Sequence, residues 1–301
     1  ILYNKGLYKQ SLKILDKTKQ VALENDEKYM AYEIVEFEKL IESQYITRSM
    51  QGRADELVIQ AKELNYKNTI SSKLSNLSLQ LYGIMLKTGY VRSDEEYKYI
   101  DDYFNKHISK FDEKKFGFRE RYWYFNANLW RSFLVQDFLS CYKFSHKWVT
   151  LFYDNRNMIF LNPVFFLKGN HYLLESLFML KYKTNFKKYL EMLEETINDP
   201  QFPVNDNITS LSFLYLYNNK LNYHILEGTF AEAEYLIPEV LDKINLHSEH
   251  LDEHHEMLFY YKIACIYFGN EKYNDCVFYL EKIINNKNLY VREDLACFAR
   301  L

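Results

Sequence analysis

Glycine and proline are the residues this 301-residue chain has least use for: it contains 8 Gly and 4 Pro, against average usage of about 7% and 5%. The hairpin loops of an all-β protein and the turns of an α/β protein draw heavily on both, so their scarcity leaves an all-helical chain. Cysteine is sparse too. Cys141, Cys265, Cys276 and Cys297 are far apart with no C-x-x-C pair, which argues for reduced thiols in a cytoplasmic-type compartment and against a disulfide framework. Stretches such as Met158 to Phe160 and Val164 to Leu167 are interrupted within a few residues, far short of the roughly 18 to 20 apolar residues of a membrane span. The chain therefore reads as a soluble protein. Charge of one sign is also missing: 38 basic and 41 acidic residues give a net −3, which supplies no electrostatic footprint for a polyanion and predicts no direct contact with nucleic acid.

Catalytic signatures are absent in the same way. There is no Gly-rich phosphate loop, no G-x-S-x-G elbow and no recognisable Cys/His pairing, and neighbouring carboxylates such as Glu194-Glu195 and Asp101-Asp102 point in different directions on a helix. The sequence predicts a non-enzyme without cofactors. An α/α barrel that assembles carboxylates from distant helices is the enzymatic alternative.

What the chain does have is a four-slot pattern, an aromatic or small residue followed by apolar or small residues three, seven and ten positions on. It begins at Tyr8, Ala54, Tyr97, Phe138, Phe186, Phe230 and Tyr273. Successive leaders lie 46, 43, 41, 48, 44 and 43 residues apart, a near-constant step that marks an array of stacked helical hairpins. Nine and thirteen residues upstream of a leader stand further apolar pairs, Tyr45 and Ile41, Leu129 and Phe125, Leu177 and Leu173, Leu221 and Tyr217, Ala264 and Tyr260. They belong to one face of a preceding helix.

Turns are predicted at Met50-Gln51-Gly52, Lys183-Thr184-Asn185, Glu227-Gly228-Thr229 and Gly269-Asn270-Glu271, and a capping box at Ser93 and Glu96. Longer polar joints fall at 154–163, 198–206 and 245–252, and Pro238 is expected to bend its helix. None of the joints is a flexible linker, so residues 1–301 are expected to form one domain. The chain opens at Ile1 without an initiator Met and its last pattern stops within a fresh helix from Tyr290 to Leu301. A piece of a longer protein is the expectation.

In these slots the chain resembles the tetratricopeptide repeat family. Tyr260, Ile263, Ala264 and Tyr267, then Tyr273, Cys276, Leu280 and Ile283, carry the likeness, as does the unit from Tyr217 to Val240 with Gly228, Phe230 and Ala233. The period of about 44 exceeds that family's 34, and the Pro that often closes a unit is absent. Longer units of this kind look like the tetratricopeptide-like domains of bacterial peptide-sensing regulators and scaffold proteins.

The resemblance implies a right-handed α–α superhelix of six to seven hairpins, with the first helix of each hairpin on the concave surface. Counted from the core slots, that surface holds Trp123, Asn126, Trp130 and Phe133, then His171 and Phe178, then Tyr215, Asn218 and Asn222, then Tyr261. Asparagine amides can donate to and accept from a peptide backbone at once, and aromatic rings can cover alternate side chains. The implied function is binding of a peptide or protein segment, as an adaptor or as the sensor part of a regulator; a purely structural assembly module is the alternative. Replacing Asn126, Asn218 and Asn222 by Ala is expected to remove binding with little change in stability. The segment from Phe118 to Phe125, with Trp130-Arg131, mixes basic and aromatic residues as single-strand platforms do, but a helix buried on one side and capped by salt bridges is the plainer reading. His247, His250 and His254 would face one way, as zinc ligands, only on one continuous helix; a solvated acidic joint is the plainer reading.

Overall fold

The computed structural model describes residues 1–44, 52–108, 111–286 and 293–300. Among them all regular structure is helical. The predicted positions Tyr45 and Met50-Gln51 lie outside the described residues, as do 290–292 and Leu301 of the helix expected from Tyr290 to Leu301. The chain divides into two compact units, Ile1–Asp137 and Phe138–Leu301.

The first unit contains α1 (Tyr8–Glu24), α2 (Lys28–Gln44), α3 (Arg53–Thr88), α4 (Asp94–Ile108) and α5 (Phe118–Leu134). The second contains α6 (Phe138–Asp154), the short α7 (Arg156–Leu161), α8 (Pro163–Met179), α9 (Lys183–Ile197), α10 (Asp206–Glu227), α11 (Phe230–Glu234), α12 (Ile237–Leu246), α13 (Glu253–Gly269), α14 (Tyr273–Ile284) and α15 (Glu293–Arg300). Every one of the seven pattern leaders falls within the first four residues of a helix, and the small and apolar slots behind them, among them Leu57, Phe104, Cys141, Trp148, Leu193, Ala233 and Cys276, are buried.

The same turn recurs along the chain. Gly6, Asp26, Gln136, Lys181, Gly228 and Glu271 all take left-handed backbone. In each case the next residue's amide bonds the carbonyl five residues back, as Glu27 to Ala22, Tyr182 to Leu177, Thr229 to His224 and Lys272 to Tyr267 do at 2.7 to 3.0 Å. This 6→1 bond satisfies a carbonyl that the helix end leaves open. A new helix starts two residues beyond each left-handed residue, at Tyr8, Lys28, Phe138, Lys183, Phe230 and Tyr273. Only two of the six are glycine, which is why the turns do not stand out in the sequence: the one predicted at 183–185 sits two to three residues earlier, and at 269–271 Glu271 takes the left-handed role.

α3 runs unbroken for 36 residues, about 54 Å; no Gly or Pro interrupts it before Gly83. One other expectation changes. Pro238 does more than bend its helix. The helix stops at Glu234 and restarts at Ile237, with the proline in the first turn of α12 where its missing donor costs nothing. Ser93 caps α4 by accepting the Glu96 amide at 3.2 Å.

Within the first unit, Ala22, Ala31, Val35, Leu57, Ala61 and Leu64 seal α1, α2 and α3 together. A buried ion cluster ties the α1–α2 turn to α5, with Lys28 Nζ 2.7 Å from Asp26 and 2.7 and 2.9 Å from the two oxygens of Glu120, which is 1% exposed. Within the second unit, Phe213, Leu221, Ala233, Val240, Phe259, Ile263, Cys276 and Tyr279 form a core shared by α10 to α14, each large side chain contributing about 1.5–3 kcal/mol by burial. A Cβ on Gly269 would lie 2.4 Å from the Phe230 ring, so that glycine lets α13 and α11 touch. Thermal unfolding should therefore respond in opposite directions to two substitutions: Gly269→Ala loses about 1–3 kcal/mol by overpacking, while Glu271→Gly, which relieves an exposed left-handed residue, gains about 0.5–1 kcal/mol.

Candidate functional site

The ten residues assigned to the concave face fall in both units, and the two sets have different surroundings. In the first unit Trp123, Asn126, Trp130 and Phe133 all belong to α5, which packs against α3. Trp123 packs against Ile70, Leu74 and Phe116. Ser78 of α3 donates to Asn126 Oδ1, and the Trp130 ring lies 4.7 Å from Tyr82 and 5.8 Å from Phe133. The spacing that brings these side chains to one face of α5 thus turns most of that face onto a neighbouring helix.

In the second unit the residues join three helices, α8, α10 and α13, that are not consecutive in sequence but pack in that order. His171 of α8 stacks on Tyr215 of α10, with ring centroids 4.7 Å apart and planes 19° from parallel. Asn219 Nδ2 lies 3.5 Å from His171 Nδ1 and bonds the Tyr215 carbonyl at 2.7 Å. Asn222 donates to Glu175 of α8 at 3.4 Å. On the other side Lys262 of α13 donates to the Asn218 side chain. Tyr261 packs with Met257 and Ile283, while Phe178 remains half-buried on α8.

A polar and aromatic seam therefore runs across the three helices. Its half-exposed members, His171, Tyr215, Tyr261 and Lys262, are what a ligand would meet. Its asparagines are not: Asn126, Asn218 and Asn222 are 4%, 5% and 3% exposed and occupied by bonds between helices. Replacing them by Ala would leave the buried Ser78 hydroxyl unpaired, at a cost of about 1–3 kcal/mol, and would remove the bonds to the half-buried Glu175 and Lys262, so the expectation of little change in stability does not hold.

Glu175, Asn219 and Lys262 were not singled out in the sequence, although each had a signal. Glu175 follows His171 by one helical turn, Asn219 follows Tyr215 by the same step, and Lys262 adjoins the counted Tyr261. Asn219 and Asn170 are wholly buried, and each keeps an amide oxygen without a hydrogen-bond partner among the described residues. Two such unsatisfied acceptors beside one seam are costly, and an ordered water between helices would relieve them.

Burial is the largest influence on His171 and pushes its imidazole down to about 4, against the opposing pull of Glu175. Burial also lowers Lys168 on the same helix. The seam thus holds a neutral imidazole at neutral pH.

The other singled-out groups have structural partners. α12 ends at Leu246 and α13 begins at Glu253, so the histidines do not share the continuous helix that a zinc site needed. His247 stacks on Phe213 at 5.3 Å and meets the Ser210 hydroxyl at 3.0 Å; His250 lies in the turn, and His254 starts α13 beside His255. No group of three His, Cys, Asp or Glu is arranged to hold a metal among the described residues. Arg119 pairs with Glu27, and Arg131 with Asp101, so the basic and aromatic stretch of α5 is a salt-bridged helix. No helix of the described residues is long and apolar enough to cross a membrane.

No family model, no curated protein and no solved structure matches this chain.

The shifted imidazole gives a pH test. Above the ordinary histidine value near 6.5 native and unfolded chains are both neutral at His171. Between there and about 4 the unfolded chain takes up a proton that the native seam refuses, so stability is full above pH 6.5 and declines as pH falls. The ceiling on this loss is roughly 3 kcal/mol. His146, His224 and His247 are shifted the same way, so His171→Gln should remove part of the loss in melting temperature between pH 7 and pH 5, while parent and variant differ less in that loss above pH 7.

Proposed function

We propose that this protein is a tetratricopeptide-like array whose second unit binds an extended peptide, or an extended segment of a partner protein, across α8, α10 and α13, and that it serves as an adaptor or as the sensor part of a regulator. The observation that carries this reading is the cross-helix seam. His171 stacks on Tyr215, Asn222 bonds Glu175 and Lys262 bonds Asn218, and a surface already fixed by internal bonds loses little side-chain freedom when a ligand docks.

Its chemistry is matched to a polypeptide. Aromatic edges and a lysine alternate along it, and rings of this type supply contact area with few rotatable bonds. In the second unit α8 packs against α9 and α10, α10 against α11 and α13, and α13 against α14, the neighbour contacts that support a stack of hairpins. The right-handed superhelix remains part of the proposal.

A structural role is favoured for the first unit, because the corresponding face of α5 is occupied by α3. In that unit the aromatic residues serve assembly of the fold.

Selection from a random peptide library displayed on phage, followed by titration of the best synthetic peptide, tests the reading. The combined variant His171→Ala, Tyr215→Ala and Tyr261→Ala is expected to weaken binding at least tenfold, while Trp123→Ala and Phe133→Ala leave it within twofold. Equal affinities for parent and seam variant, with the variant's far-ultraviolet dichroism intact, would overturn it.

A further inference from the structure

The first unit contains a pocket that the peptide reading does not use. It has a volume of about 520 Å³, within the range of small-molecule sites, and is formed by α1, α3, the α1–α2 turn and the short 3₁₀ turn Glu113–Lys115 ahead of α5. Buried Leu64 and Phe116, with Leu23, supply its apolar surface.

Five lysines line it, and they fall into two sets. Lys19 and Lys28 are buried and already committed. Lys19 lies 2.5 Å from Glu38, and Lys28 has three carboxylate oxygens within 2.9 Å, one for each of its protons. They stiffen the wall and have little left to offer a ligand. The other three have weaker ties. Lys67 meets only Glu63, itself well exposed, and Lys115 is 3.9 Å from Asp112 and largely in water; pairs of this kind contribute little. Lys114 pairs with no carboxylate among the described residues, since Asp112 accepts its backbone amide instead.

The 3₁₀ turn accounts for this arrangement. Its two lysines precede Phe116, which is 5% exposed, so burying the phenylalanine places both lysines on the lining of the pocket. Gln60 also lines the pocket, and its amide oxygen is buried without a partner among the described residues.

From this we infer that the pocket binds a small organic anion, a flat apolar body of about the size of a bicyclic ring bearing one phosphate or carboxylate group. The body rests on Leu23, Leu64 and Phe116, and the anionic group meets Lys67, Lys114 and Lys115. This site is independent of the seam in the second unit.

Titration calorimetry of the full chain with 1-naphthyl phosphate, 1-naphthoate and uncharged 1-naphthol tests the inference. At least one of the anions should bind one to one, and at least tenfold more tightly than 1-naphthol. The triple variant Lys67→Ala, Lys114→Ala and Lys115→Ala should weaken that anion at least tenfold without moving the melting temperature, while Lys187→Ala with Lys188→Ala in the second unit changes nothing. A tighter phosphate identifies phosphate esters as the ligand class, and a tighter naphthoate identifies carboxylic acids. The inference fails if 1-naphthol binds as well as the anions, if the triple variant binds like the parent, or if neither anion saturates the protein at millimolar concentration.

Discussion

The constraint on which this structure depends is that no helical hairpin here can bury its own apolar face. Each has small and aromatic slots on the side where its two helices face one another and a second apolar side left over. That second side is covered by a helix of the neighbouring hairpin, as α3 is by α5, and α10 by α8 and α13. The core shared by α10 to α14 shows how far this goes: Ala233 and Cys276 are small so that Phe259 and Tyr279 have room beside them, and Gly269 has no side chain so that Phe230 can lie against it. Packing of this density leaves little tolerance for an added methyl group.

Burial of the apolar faces also sets the fate of the polar groups between helices. Once α8, α10 and α13 pack together, their asparagines lose water and must find partners among themselves, which they do through His171, Glu175 and Lys262. The same reasoning explains the first unit, where Lys28 can be buried because Asp26 and Glu120 surround it. Polar side chains in such places hold the helices in register, and only those with an edge still in water can also meet a ligand. This separates the half-exposed His171, Tyr215 and Tyr261 from the buried asparagines beside them.

Much of the fold was legible in the sequence because burial leaves a periodic mark. The seven leaders fall at helix starts, and most of the slots from Leu57 to Ile283 are in the core, though His107 is exposed. What was not legible depended on backbone conformation that the side chains do not announce. Lys181 and Glu271 adopt the left-handed turn with no glycine to advertise it, and the length of α3 follows from the lack of any Gly or Pro before Gly83. The candidate site was legible by halves. Counting by helical turns found the rings of the seam, but it could not separate an asparagine facing solvent from one facing the next helix, because that depends on how closely α8, α10 and α13 approach. Nor did the repeat point to the pocket of the first unit, whose lysines come from stretches far apart in sequence.

The central claim is that the first helices of the hairpins in the second unit form the binding face. Hydrogen exchange followed by mass spectrometry, with and without a peptide selected against the protein, tests it most directly. The account predicts added protection concentrated in residues 163–179, 206–227 and 253–269. Protection confined to residues 183–197, 237–246 and 273–284, on the second helices, would contradict it.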